Sequence, residues 1–92
     1  MESRYNLHWE RKEDEKLKTI FLIKGKLFSV GQFAMSAGRT SRAISTRISC
    51  MIDPRNYRLY DKNFAIKVKE IFPNQGVGSD LDRILNYRGC YL

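Results

Sequence analysis

Two glycines and one Asp-Pro step, Gly25, Gly38 and Asp53-Pro54, cut the first half of this chain into three short segments. Each segment carries apolar residues at helical spacing, so what fits between the breaks is a set of short helices. After Trp9 a charged run from Glu10 to Lys16 leads into Leu17, Ile20 and Phe21, and Gly25 supplies the stop. This predicts a first helix over about residues 10–24. Ser29 can cap a second, over about 30–37, whose apolar face is Val30, Phe33, Ala34 and Ala37 and whose stop is Gly38. Thr40 or Ser41 can cap a third, over about 41–52, ended by Asp53 because the residue before a proline is pushed out of helical geometry. On a helical wheel Ile44, Ile48 and Met51 share one side of this third segment, and Arg42, Ser45, Thr46 and Ser49 share the other. One face is built to pack and the opposite face is wholly polar.

The second half is less strongly patterned. Tyr57 to Tyr60 reads as a short extended segment, and Asp61 as the cap of a helix striped by Phe64, Val68, Ile71 and Phe72 and broken at Pro73. A loop over 74–78 leads to Ser79 and Asp82 at capping-box spacing, then to Leu81, Ile84 and Leu85 as one or two amphipathic turns. With 92 residues the chain has interior for one core only. The expected architecture is mainly α: a three-helix helix-turn-helix bundle over 9–52, preceded by an arm over 1–8. It is followed by an extension over 53–92 with one or two further short helices, packed on the bundle or forming a dimer contact. Leu22 and Ile23 lie off the main stripe of the first helix, so the extension or a second subunit is expected to cover them.

Charge is distributed unevenly. From Lys16 to Ile52 there are seven basic residues and no acidic one, whereas the ten acids divide between the first fifteen residues and the segment from Asp53 onward. A one-signed segment suits a polyanion, because each neutralised phosphate releases condensed counterions. No stretch approaches the length of apolar chain needed to cross a bilayer, and the N-terminus lacks the apolar stretch of a signal peptide, so no membrane role is expected. The expected location is the cytoplasm, associated with the nucleoid, or the nucleus of a host cell. Cys50 and Cys90 stand far apart without Cys-x-x-Cys spacing, and His8 is the lone histidine, which points to free thiols and to no metal. No cofactor is implied. No carboxylate pair, nucleophile-base set or phosphate loop stands at a workable spacing, so the sequence argues against an enzyme.

The string Trp9-x3-Glu13-Asp14-x2-Leu17, then Gly25, then Phe33-Ala34-x2-Ala37-Gly38-Arg39-Thr40-x2-Ala43-Ile44-x2-Arg47, resembles the Myb/SANT-like DNA-binding domain and its bacterial and phage helix-turn-helix relatives. Its parts have physical readings. Trp9 is a large anchor for a small core, and the small residues Ala34, Ala37 and Gly38 let the second and third helices approach closely. Arg39, Thr40 and Ser41 stand at the mouth of the third helix, where free backbone N–H groups favour a phosphate.

In that family the third helix enters the major groove. The resemblance therefore implies base contacts from Arg42, Ser45, Thr46 and Ser49, with Arg42 the strongest reader because a guanidinium grips guanine O6 and N7 in bidentate fashion. Arg39, Lys24 and Lys26 are assigned to phosphates. The resemblance also implies that Arg47 pairs with an acid of the first helix, here Glu13. The chain departs from the pattern at Phe33 and Ile48 and carries a single repeat, which calls for help from dimerisation or from the extension. There Arg55, Tyr57, Arg58, Tyr60, Lys62, Lys67 and Lys69 interleave basic and aromatic residues. The expected partner is duplex DNA, with a homodimer as a further candidate. The competing expectation is an interaction module, or a phage-type effector of a host protein, that sets a basic face against an acidic surface of a protein in the transcription or defence machinery.

Overall fold

Capping chemistry sets most of the helix boundaries in the computed structural model, which describes residues 9–74, 76 and 78–85. Helix α1 spans Arg11–Lys24 and follows Glu10, whose backbone N–H donates to Glu13 Oε1 at 3.3 Å. It does not simply stop at Gly25: that residue, at φ 55° and ψ −126°, opens a single 3-10 turn over Gly25–Leu27. Helix α2, Val30–Ala37, starts where the Gln32 N–H donates to Ser29 Oγ at 3.2 Å. It ends on Gly38 in the left-handed region at φ 71°. Helix α3, Ser41–Met51, takes Thr40 as its cap, whose Oγ1 accepts from the Ala43 N–H at 3.1 Å, and it ends one residue before the expected boundary.

Residues 57–59 are turns, so the stretch over 57–60 is not an extended segment. The physical reason is Asn56, whose side-chain and backbone oxygens both accept from the Leu59 N–H while its carbonyl also accepts from Tyr60. The Asp61 N–H then donates to the Met51 carbonyl at 2.9 Å and closes the loop. Asp61 caps α4, Lys62–Ile71, as its spacing predicts, through a 3.1 Å bond from the Phe64 N–H. The last helix, α5, is Asp80–Leu85. Asp82 donates its N–H to Ser79 Oγ, but its short carboxylate accepts from Gly78 rather than from the Ser79 backbone, so the expected box closes one residue early. Among the described residues there is no strand, and the fold is all helical.

One core collects residues from both halves of the chain. Phe21, fully buried, lies 4.9 Å from the Phe28 ring, 5.8 Å from Phe64 and 5.7 Å from Phe72 between centroids. Leu17, Ile44, Ile48, Val68 and Leu81 pack in the same core, as do Val30, Phe33, Ala34 and Met51. Helix α3 is covered on one side by α2 and on another by α5, while α4 packs on α1. Phe64, Val68, Phe72 and Leu81, from the second half of the chain, are thus part of the interior. Leu22 is half-buried against this core, but Ile23 stays 73% exposed, so among the described residues nothing covers it. Cys50 is a free thiol, and no group of His, Cys, Asp or Glu among the described residues is placed to hold a metal. No described helix is long and apolar enough to cross a membrane. The arm over 1–8 with His8, and Cys90, lie outside the described residues.

Candidate nucleic-acid interface

The polar side of α3 faces away from the core. Ile44, Ile48 and Met51 are buried, and Arg42, Thr46 and Ser49 are exposed on the opposite side. Arg42 forms no ion pair among the described residues, so its guanidinium is available in full. Ser45 is half-buried and donates its hydroxyl hydrogen to the Arg42 carbonyl at 3.2 Å, which leaves its oxygen only as an acceptor. Ser41 is half-buried at the start of the helix, and the exposed Thr40 already uses its oxygen as the cap. The expected readers are therefore on one surface, with unequal chemistry. Arg42, Thr46 and Ser49 can meet a ligand directly, while Thr40 and Ser45 are partly committed to holding the helix and Ser41 is half-buried.

Arg39 is a correction. It was expected at a phosphate, but its side chain is 1% exposed and grips Glu13 in bidentate fashion, Nε to Oε2 at 3.0 Å and Nη2 to Oε1 at 2.8 Å. A buried guanidinium satisfied by a carboxylate has no surface to offer a phosphate. Arg47 does pair with an acid of α1, as expected, but that acid is Asp14, at 2.9 and 2.8 Å, because Glu13 is taken by Arg39. Both guanidinium groups lie over the Trp9 ring, with Cζ atoms 4.2 Å and 5.1 Å from its centroid for Arg39 and Arg47 respectively. Trp9 thus anchors the joint between α1, the Gly38–Thr40 turn and α3, through cation–π contact as well as through apolar burial.

The other two expected phosphate contacts stand apart from α3. Lys24 lines a groove between α1 and α2 to which no residue of α3 contributes. Lys26 pairs with Asp80 of α5 at 3.4 Å, although both side chains remain about half exposed. Lys18, from the same acid-free stretch, lies 2.8 Å from Asp61 and 3.1 Å from Glu15. Burial works against its charge, yet the hydrogen bonds to Asp61 and Glu15 and their negative charges outweigh it and raise the ammonium above its ordinary 10.5. The hydrogen bond from Lys18, helped by the Phe64 N–H, holds the Asp61 carboxyl below its ordinary 3.8.

Beyond α3 the surface continues in residues read only as a pattern in the sequence. Tyr57 is 87% exposed and Arg58 is exposed beside it, while Tyr60 is half-buried. Arg55 points outward with its side chain 90% exposed, although it bonds Asp53 at 3.1 Å, a contact that lowers the Asp53 carboxyl. What the sequence missed was the pairing of Glu13 with Arg39, and with it the assignment of Arg47 to the neighbouring Asp14. The signal was present in Glu13-Asp14, which stand in the one acidic block upstream of the acid-free segment. Compared with protein families, with curated proteins and with solved structures, the chain matches none of them.

Proposed function

We propose that this protein binds duplex DNA by laying the polar face of α3 in the major groove, in the manner of a helix-turn-helix regulator of the Myb/SANT-like type. The observation that carries this reading is Arg42. It is an exposed arginine without an ion pair among the described residues, on a helix with no acidic residue whose outward neighbours Thr46 and Ser49 are also hydrogen-bonding groups. Two short helices joined by a three-residue turn, the second buried on one side and polar on the other, support the same reading. Arg42 reads a base, Thr46 and Ser49 make less selective contacts, and the exposed Arg55 and Arg58 that follow α3 supply phosphate contacts.

The test is titration of a labelled duplex at several salt concentrations with wild type, Arg42→Ala and Arg58→Ala. Wild-type affinity is expected to fall with salt at a slope of about −0.9 per phosphate contact. Arg42→Ala should weaken binding by about 1–3 kcal/mol and relax sequence preference at one position. Arg58→Ala should weaken all duplexes alike and flatten the salt slope. Absence of binding by wild type at low salt rejects the proposal.

A further inference from the structure

On the side of the molecule formed by α1 and α2, an open groove of about 200 Å³ runs between the two helices. Its α1 wall is the ridge Lys16, Ile20, Lys24, spaced one helical turn at a time and continued by Leu27. Its floor includes Phe28 and Phe33, and its α2 wall carries the polar groups of Gln32 and Ser36. A neighbouring depression shares Lys16, Phe33 and Ser36 with it and extends the trough past Met35 toward Gly38. Two large apolar side chains stand almost fully in solvent along this trough, Leu27 at 85% and Met35 at 84% exposed.

The electrostatics of the trough are one-signed. Lys16 and Lys24 are exposed and form no ion pair among the described residues. The carboxylate lining it, Glu13, is held by Arg39 and contributes no net charge to its surface. An apolar floor beside two lysines whose positions on α1 are about 12 Å apart along the helix axis complements a segment with apolar side chains on one face and carboxylates at its flanks, two helical turns apart. We propose that the α1–α2 trough is a docking site for an acidic amphipathic helix of a partner protein. Leu27 and Met35 grip its apolar stripe, and Lys16 and Lys24 meet its acidic flanks. This site is separate from the polar face of α3 and stands or falls independently of the DNA-binding proposal.

The probe is a synthetic amphipathic peptide with leucines along one helical face and glutamates flanking them, added to the isotopically labelled full chain, with amide shifts followed residue by residue. A matched peptide with lysines in place of the glutamates is the control. Shifts are expected along Lys16, Ile20, Lys24, Leu27, Gln32 and Ser36, and only for the glutamate peptide. A Lys16→Glu/Lys24→Glu variant changes exposed side chains and should fold normally, checked by its thermal midpoint. It should bind the glutamate peptide at least on the order of tenfold more weakly and acquire affinity for the lysine peptide. Arg42→Ala should leave peptide binding unchanged. The proposal is overturned if the glutamate peptide does not bind, if the charge reversal does not alter its binding, or if its shifts fall on Arg42, Thr46 and Ser49. Duplex DNA that moves the trough residues and displaces the peptide overturns it as well.

Discussion

Arg39 shows how a side chain's surroundings override its type. In sequence it stands beside Arg42 with the same charge, yet Arg39 is satisfied inside the fold and Arg42 is left to solvent. The two should respond oppositely to replacement by alanine. Arg39→Ala removes the cation paired with the largely buried Glu13 carboxylate and is expected to lower stability by about 3 kcal/mol, read as a fall in the urea midpoint. A Glu13→Leu/Arg39→Met double variant, which removes both charges and keeps volume, should recover most of that loss. Arg42→Ala should leave the midpoint within about 0.5 kcal/mol of wild type, because nothing in the fold leans on it. Under the DNA-binding proposal, a loss of binding in an Arg39 variant would report on folding. The sequence could not separate these arginines, because two adjacent acids and three arginines allow several pairings and only packing selects among them. For that reason Arg47 belongs to Asp14 and not to Glu13.

At the scale of elements, the caps at Ser29, Thr40 and Asp61 were legible because a capping oxygen and the N–H it accepts lie within one turn of chain. The turns over 57–59 were not, since alternating aromatic residues suit a strand equally well and Asn56 decided the matter through two acceptors. Asp61 joins two elements, capping α4 and holding Lys18 of α1. Its carboxyl is depressed in the folded state, so the stability it contributes is present above about pH 4 and is lost as pH falls through the lowered value. Lys18 is raised, so its share is present below 10.5 and is lost as pH rises through the higher value. The clasp is thus intact between those limits. Asp61→Asn keeps a capping oxygen and should abolish this residue's part of the acid limb, whereas Asp61→Ala should lose about 1 kcal/mol more at neutral pH, both seen in unfolding curves across pH. The glycines that follow α1 and α2 differ as well. Gly38 occupies the left-handed region that asparagine tolerates, but Gly25 combines φ 55° with ψ −126°, a region restricted to glycine. Gly38→Asn should lower the thermal midpoint slightly and Gly25→Asn by several times as much.

Taken whole, the molecule is less divided than its sequence. The basic segment from Lys16 to Ile52 is one-signed only along the chain: in space Lys18, Arg39 and Arg47 meet acids that come from outside it. Likewise the first three helices do not close a core alone, because Phe64, Val68, Phe72 and Leu81 fill it from the second half. A fragment ending at Ile52 should therefore lack a cooperative thermal transition by circular dichroism, while the full chain shows one. Helical stripes made the components legible, but which stripe covers which depended on contacts between residues far apart in the chain. The position of Trp9 has a practical consequence. It is the sole tryptophan, and two guanidinium groups hold its ring where α1, the turn and α3 meet. Its fluorescence is therefore an intrinsic optical gauge of that joint, shifting when the joint opens and remaining steady when only a surface residue such as Arg42 is changed.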